Sequence, residues 1–130
     1  MTTPKPITAL WDYCWNQRDY DKIDTTFTED LKIHAFGVVL EGRDAVREII
    51  QSTIAGFSDM HQYLDHVFLG NNNMVTTVWH GTGTHDGVFH EVPPTNKQLT
   101  YHGICVFRLD GERIAEAWLS SDMDAQLSQL

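Results

Sequence analysis

A few side chains in this sequence could exchange a proton with a bound organic molecule or attack it. His34 lies in the predicted strand Leu31–Phe36, where a neutral imidazole could act as a general base. It could equally be a strand-edge residue that bonds the backbone or water. Asp122 follows the last predicted strand, where its carboxylate could take up a proton or cap the next helix. Cys105 could be a nucleophile or a small buried apolar residue. His34 and Asp122 are therefore the candidate catalytic residues.

The histidines also raise the question of a metal site. His80, His85 and His90 are spaced by five residues. An odd spacing along strands places neighbouring side chains on opposite faces. The sequence has no pair of closely spaced cysteines and no HxH or HExxH pattern. We expect no metal site and no cofactor.

Composition limits the partners that such a site could take. The chain has 18 acidic and nine basic side chains, a formal charge of −9, and the basic ones are scattered. Nucleic acids and anionic membrane surfaces bind clusters of Lys and Arg, so neither is an expected partner. Apolar residues make up 42% of the sequence, enough to fill a core and line a cavity. This composition leaves enough apolar and aromatic surface for a cavity inside the fold.

Length and cysteine placement indicate one domain in a reducing compartment. At 130 residues the chain has the size of a single domain, which we place at 1–130. Its first residues lead directly into an amphipathic pattern, so neither a signal peptide nor a membrane span is predicted. Cys14 and Cys105 fall in a predicted helix and a predicted strand of a chain that can fold without disulfides. We therefore expect a cytoplasmic protein with reduced cysteines.

Helices are predicted in the first half of the chain. The helical spacing of apolar side chains predicts a first helix that contains Ile7, Leu10, Trp11, Cys14 and Trp15. A short second helix is predicted around 20–27, with Asp19 as its N-cap. Apolar positions from Val46 to Phe57 predict the third and longest helix.

Strands dominate the second half. Runs rich in Val, Thr and aromatic residues predict strands at roughly 60–69, 74–84, 99–109 and 113–120, followed by a short final helix. No βαβ repetition is present. The order of elements predicts an α+β fold with an antiparallel sheet.

The last predicted hairpin indicates that a second subunit is present. Tyr101, Cys105 and Phe107 share one face of a strand, while Ile104 and Val106 share the other. If the first face covers a pocket beneath the helices, the second needs another layer, and no element remains to supply it. We expect a homodimer that packs through the outer sheet face.

The whole pattern resembles the SnoaL-like polyketide cyclases of the nuclear transport factor 2-like superfamily. The resemblance covers nearly the whole chain and is carried by four segments: Gly83-Thr84-His85-Asp86-Gly87, Pro93-Pro94-Thr95-Asn96-Lys97, Asp110-Gly111-Glu112-Arg113-Ile114-Ala115-Glu116-Ala117-Trp118 and Gln126-Leu127-Ser128-Gln129-Leu130. It implies a cone-shaped, curved antiparallel sheet wrapped around a long helix, with N-terminal helices over an apolar pocket. Homodimers packed sheet to sheet are common in this family. The residues expected to line the pocket are Trp15, Phe36, Phe57, Trp79, Tyr101, Cys105 and Leu119.

The resemblance also shows where the catalytic signature is missing. The cyclases close a ring through an enolate that a catalytic Asp generates, and that position is Leu119 here. The positions of two family histidines are Cys105 and Ala117. The isomerase Asp would fall near Ala35, and the epoxide hydrolase pattern is absent. Leucine cannot accept a proton, so any chemistry must use other groups.

Two functions therefore stay open from the sequence. One is a cofactor-independent enzyme that moves a proton on a small hydrophobic, cyclic or polyketide-like substrate, as a cyclase, isomerase or hydrolase would. The other is a non-catalytic binding domain that keeps the pocket. For the enzyme, His34 is the expected base, because strand residues two apart share a face and Phe36 is expected on the pocket wall.

Overall fold

The computed structural model describes residues 2–130 and has helices on one side of a six-stranded sheet. The helices are α1 (Lys5–Ala9), α2 (Ile23–Thr26), α3 (Arg43–Gly56) and α4 (Met123–Leu127). The strands are β1 (Phe27–Ala35), β2 (Val38–Glu41), β3 (His61–Leu69), β4 (Met74–Thr84), β5 (Gln98–Asp110) and β6 (Arg113–Ser121). No helix within residues 2–130 is long and apolar enough to cross a membrane.

The first predicted helix is present but changes its winding. After α1 the chain continues as a π-helical segment, Leu10–Asn16, in which each turn is wider than in an α-helix. The predicted apolar stripe is buried along it, including Trp11 and Cys14. Trp15 is only partly buried and packs at the edge of the core.

The second helix is shorter than predicted, and the first strand is longer. A 3-10 turn, Tyr20–Lys22, leads into α2, and Phe27 already has the extended backbone of β1. The β-branched pair Thr25 and Thr26 precedes it, which favours an early switch from helix to strand. Asp19 occupies the N-cap position of the 3-10 turn, with no side-chain capping hydrogen bond.

The sheet order is β2-β1-β6-β5-β4-β3, with antiparallel neighbours except for the parallel pair β1 and β6. The parallel pair arises because β1 and β2 form a hairpin at one edge, and α3 carries the chain across to the opposite edge. The meander from β3 to β6 then returns to β1. An antiparallel sheet was expected from the sequence, and this crossover accounts for the one parallel pair.

The core lies between the helices and the inner face of the sheet. On β5, Tyr101, Cys105 and Phe107 are buried, while Ile104 is 50% exposed, as the alternation predicts. On β4, alternate residues including Trp79 face the same core. The curved sheet therefore has one face packed by the helices and one face without a covering element in the described chain.

Arg18 fixes the end of the first helical region against the sheet. Its guanidinium donates hydrogen bonds to the carbonyls of Trp15 and Asn16, at 2.7 and 3.1 Å, and of Ser58 and Met60, at 3.2 and 2.8 Å. Hydrogen bonds from a charged donor are stronger than those between neutral groups. The interaction holds the Trp15 end of the helix beside the start of β3.

Candidate active site

Two adjoining cavities lie between the helices and the inner sheet face. The outer cavity has a volume of about 520 Å³ and opens near α3, α4 and the loop that follows β4. The deep cavity has a volume of about 80 Å³ and lies beneath the first helical region. Trp15, Ile49 and Leu119 line both, so these side chains lie where the two cavities adjoin.

The deep cavity is almost entirely apolar. Its lining is aliphatic and aromatic, including Trp11 and Trp79, apart from Cys105 and the polar side chain of Gln62. The Trp79 Nε1–H donates to the Cys105 Sγ at 3.3 Å, and burial raises the pKa of the Cys105 thiol to about 12. A thiol with so high a pKa carries almost no thiolate at neutral pH, which disfavours a nucleophilic role. The indole Nε1 of Trp11 is buried and has no hydrogen-bond partner within residues 2–130.

Tyr101 lines the outer cavity, and its hydroxyl reaches Gln62, a residue of the deep cavity. The amide Nε2–H of Gln62 donates to the Tyr101 oxygen at 2.9 Å. Because the phenol accepts this bond, its own hydrogen is available for a different acceptor. Burial raises the pKa of the Tyr101 phenol well above its ordinary value, so the hydroxyl stays protonated.

Gln62 is itself held in place at the start of β3. The Asn16 Nδ2–H donates to the Gln62 carbonyl, and the Gln62 N–H donates to the Asn16 Oδ1, both at 2.8 Å. Gln62 is buried. The two hydrogen bonds with Asn16 fix the backbone of Gln62, and its buried side-chain amide orients the phenol of Tyr101.

A histidine and a carboxylate meet on the outer cavity wall. His90 Nδ1 lies 2.8 Å from Asp124 Oδ1, and both residues line the outer cavity. Their side chains are 45% and 73% exposed, which places the pair at the mouth of the cavity. His90 comes from the loop after β4 and Asp124 from the first turn of α4, so the pair joins two elements that border the opening.

His34 does not lie on the cavity wall where it was expected. Leu31, Ile33 and Ala35 of β1 are buried, so His34 points to the outer sheet face. There its Nε2 lies 2.7 Å from Glu116 Oε2. The expectation failed because Phe36 lies beyond the strand, with a φ of 56°, so the alternation of faces ends before it.

On the outer face, His34 and Glu116 form a polar cluster with Arg108. The His34 ring stacks on Trp118 with 5.0 Å between ring centres. The hydrogen bond from His34, followed by the one from Arg108, lowers the pKa of the partly buried Glu116 carboxyl. His34 thus has a structural partner and no contact with either cavity.

Asp122 also lies outside the cavity lining. It occupies the N-cap position of α4, with no side-chain bond to the helix amides. Its Oδ1 instead accepts the backbone N–H of His102 at 2.7 Å, and its Oδ2 accepts from the Gln126 amide at 3.4 Å. The carboxylate fastens α4 to the edge of β5 and so supports the neighbouring Asp124.

All of the expected pocket residues except Phe57 line one or both cavities. Phe57 is fully buried and packs against the ring of Phe89, which itself forms part of the outer cavity wall. Phe57 was misplaced because α3 ends at Gly56 and the chain turns away from the cavity. Phe57 therefore contacts the outer cavity only indirectly, through Phe89.

The three histidines spaced by five have different partners. The ring nitrogens of His80, His85 and His90 bond Asp65, Thr95 and Asp124 respectively. Among the residues that the structure describes, no group of three or more His, Cys, Asp or Glu side chains is arranged to hold a metal ion.

Sequence reasoning missed the pair formed by His90 and Asp124 and the support of Tyr101 by Gln62. From the sequence, His90 was interpreted as part of an exposed loop, and Asp124 was assigned no role. Periodicity carries no information about which loop residue meets which helix residue. Residue type was the one sequence feature that could have indicated this pair, because a histidine and carboxylates occur in the segments that flank the predicted pocket.

Comparison with known proteins agrees with this architecture. The family model for SnoaL-like polyketide cyclases matches residues 6–130. A protein from Jannaschia sp. CCS1 described as a SnoaL-like polyketide cyclase has a similar structure, with a TM-score of 0.86 and 19% identity over 98% of this chain and 94% of that one. A search of curated protein sequences finds no match.

Two Streptomyces proteins are also similar in structure. IdmH of Streptomyces antibioticus, described as a polyketide cyclase, is 27% identical over 95% of this chain and 96% of its own, with a TM-score of 0.79. AclR of Streptomyces galilaeus, described as a hydroxylase, is 20% identical over 96% of this chain and 79% of its own, with a TM-score of 0.78. Because the family model matches residues 6–130, almost the whole of this chain, the chain belongs to the SnoaL-like polyketide cyclase family.

Proposed function

We propose that the protein binds a small, mainly apolar, cyclic or polyketide-like molecule with a carbonyl group, and moves a proton at the carbon next to that group without a cofactor. The observation that carries this proposal is the buried Tyr101 phenol on the cavity wall, with its hydrogen available. Loss of a proton beside a carbonyl produces an enolate, and a fixed donor at its oxygen stabilises the developing charge.

The protonation state of Tyr101 suits this role. Because burial raises the pKa of the phenol, the hydroxyl remains a hydrogen-bond donor at neutral pH. Gln62 holds the oxygen in place, so little reorganisation is needed as charge develops. A preorganised neutral donor stabilises an enolate and is compatible with ring closure as well as with isomerisation.

The deep cavity supports a flat apolar ligand. Its aromatic wall of Trp11, Trp15 and Trp79 offers stacking surface, and a bound ring would gain free energy by leaving water. The larger outer cavity carries the polar groups. We propose that the rings lie in the outer cavity with one apolar edge directed toward the deep cavity, and that the reacting carbonyl lies nearer Tyr101.

A second candidate function is binding without reaction. It is favoured by the positions of the family's catalytic Asp and histidines, which are Leu119, Ala117 and Cys105 here. Leu119 and Ala117 cannot exchange a proton, and Cys105 has its pKa raised to about 12. In this alternative the cavity selects a ligand and the Tyr101 hydroxyl serves only to bind its oxygen.

The proposal is tested with 2-tetralone, a two-ring ketone with exchangeable protons beside its carbonyl. We expect binding in calorimetry, and in D₂O we expect the protein to accelerate proton exchange, followed by ¹H NMR, by about 100-fold over buffer. The substitution Ile49→Trp fills the junction of the two cavities and is expected to weaken binding by about tenfold or more.

The matched control is Leu69→Trp, which adds the same indole at an exposed site at the end of β3 and leaves binding unchanged. Binding of 2-tetralone without accelerated exchange would overturn the proton-transfer function and leave the binding domain. Absence of binding to the wild-type protein would overturn both.

We also propose that the protein forms a homodimer through its outer sheet face. A row of directly paired residues crosses the sheet from edge to edge: Val39, His34, Trp118, Val106, Thr76 and Phe68. Directly paired residues point to the same face. Val39 and Phe68 at the ends of the row are both more than half exposed, and Ile104 beside it is half exposed. A second copy of the same face would cover this strip, in which Val39, Trp118, Val106 and Phe68 are apolar.

The dimer proposal predicts a strong effect of Ile104→Lys. A lysine on the strip would place a charge in the interface of each subunit, and we expect the dimer dissociation constant to rise about 100-fold or more. Light scattering at micromolar concentration measures the change. Val88→Lys, at an exposed loop position outside the sheet, is the control. A monomeric wild-type protein, or an Ile104→Lys variant that stays dimeric, would contradict the proposal.

A further inference from the structure

We infer that His90, oriented by Asp124, is the base that removes the proton from a neutral ketone bound in the cavity. This inference rests on the proposed proton-transfer function and names its missing proton acceptor. His90 and Asp124 form a hydrogen-bonded pair on the wall of the outer cavity, which Tyr101 also lines. The loop after β4 thus supplies the base, and α4 supplies the carboxylate that orients it. In the family the base is an Asp at the strand position that Leu119 occupies here.

The imidazole of His90 is fixed by more than the carboxylate. Its ring stacks on Phe89 with 3.9 Å between ring centres and meets the edge of Phe36 at 6.3 Å. Both aromatic residues line the same cavity. His90 lies between Phe89 and Val92, which pair through an isolated β-bridge, so its loop is closed by backbone hydrogen bonds.

Asp124 determines which ring nitrogen of His90 carries the hydrogen in the neutral form. The pair joins Nδ1 of His90 to Oδ1 of Asp124 at 2.8 Å. A carboxylate accepts the hydrogen of Nδ1, so Nε2 on the far side of the neutral ring keeps its lone pair. Asp124 is therefore a positioning residue that also balances the charge of the imidazolium once a proton has been taken up.

The step uses only groups of this chain and the substrate. The C–H bond beside the carbonyl breaks, and its proton passes to Nε2 of His90. The electron pair forms the carbon–carbon double bond of an enolate, and the carbonyl π electrons move to the oxygen, where Tyr101 donates its hydrogen bond. The imidazolium then returns a proton to the same carbon or to another carbon of the enolate, which restores neutral His90.

The charges around the cavity limit the substrate further. Glu48 and Asp124 both border the outer cavity, in a chain with a net charge of −9. Repulsion between like charges disfavours a carboxylate or phosphate on the substrate. Because His90 lies at the mouth and Tyr101 is buried, the reacting carbon must lie between these two residues, on the His90 side of the carbonyl group. The substrate class is a neutral, ring-containing ketone.

The inference is tested with His90→Asn and the 2-tetralone exchange assay. Asparagine tolerates the left-handed backbone at this position, where φ is 47°, but its amide is not a base. We expect the exchange rate at saturation to fall about 100-fold while the dissociation constant stays within about threefold. Asp124→Asn is expected to lower the rate about tenfold. His66→Asn, at an exposed histidine on β3, is the matched control and keeps the wild-type rate.

Two readouts separate a catalytic role from a structural one. Added imidazole is expected to restore exchange in His90→Gly, whose glycine also accepts the positive φ. Nitrogen NMR of labelled histidines is expected to show the Nδ1–H form of His90 in the wild type and its loss in Asp124→Asn.

The outcomes distinguish this inference from the proposed function. Wild-type exchange that persists within about threefold in His90→Asn overturns the role of His90 and leaves the proton-transfer function standing. Binding without exchange in the wild type overturns both. An Nε2–H form of His90 in the wild-type protein overturns the role of Asp124 independently of any substrate.

Discussion

Replacement of Tyr101 by Phe is expected to lower the rate of proton exchange on 2-tetralone by about 100-fold, or ~2.7 kcal/mol of transition-state stabilisation. The variant keeps the ring that lines the cavity and removes only the hydroxyl. The loss is expected in kcat, with KM changed little, because the donor acts mainly on the charge that develops in the transition state. Exchange followed by ¹H NMR at saturating and low ketone concentration measures the two parameters.

The same substitution has a separate, smaller effect on stability. Without the phenol oxygen, the buried Nε2–H of Gln62 loses its acceptor, at an expected cost of about 1–2 kcal/mol. Tyr63→Phe is the matched control. Tyr63 is exposed on β3, so this substitution removes a hydroxyl that lies away from the cavities. If the Tyr101→Phe variant keeps the wild-type kcat, the phenol does not stabilise an enolate and the proposed function loses its main support.

Gly87→Ala is expected to destabilise the fold by about 3 kcal/mol or more and to lower the Tm by about 10 °C. A methyl group on Gly87 would lie 2.0 Å from the carbonyl oxygen of Ala55, in the last turn of α3. That oxygen belongs to the backbone, so the overlap is relieved only by moving the helix or the loop. The Gly87 N–H also donates to the Gly56 carbonyl at 3.1 Å, and this contact would be displaced as well.

Differential scanning calorimetry with Gly70→Ala as the control isolates this effect. A methyl group on Gly70 meets its nearest neighbour at 3.4 Å, an ordinary contact, and Gly70 is likewise in a connection between strands. We expect a Tm near that of the wild type for Gly70→Ala. A Tm for Gly87→Ala as high as that of the control would show that the contact with α3 is loose.

The loop that Gly87 anchors also carries Phe89 and His90 to the cavity wall. Displacement of this loop would therefore reduce catalysis in any Gly87→Ala protein that still folds. Such a protein is expected to lose exchange activity while the aromatic wall of the deep cavity, built from other elements, remains. The close approach of the loop to α3 is thus a requirement of the site as well as of the fold.

The strands of the second half could be predicted closely from the sequence. β4 has the predicted bounds, and the two faces of β5 are those that the alternation of residues such as Tyr101 and Ile104 requires. Periodicity succeeds here because each strand has one buried face over its full length. It failed at Phe36, where the backbone enters the left-handed region and the rule that residues two apart share a face no longer holds.

The site was less predictable than the fold because its polar groups meet across different elements. His90 and Asp124 are 34 residues apart, and Gln62 and Tyr101 are 39 apart. Neither pair has a local sequence pattern, and each depends on how a loop or strand packs against another element. The apolar wall could be predicted because burial follows residue type, whereas polar pairing follows tertiary geometry.

The parallel pairing of β1 with β6 has a consequence for how the protein reaches this structure. In that pair His34 aligns with Trp118, so the two halves of the sheet join through residues more than 80 positions apart. Closing such a long loop costs entropy before any contact offsets it, and chains with distant contacts fold slowly. During synthesis, the β6-facing edge of β1 has no partner until nearly all of the described chain has left the ribosome. The half-built sheet exposes a strand edge in that interval, and this is the stage at which aggregation would compete with folding.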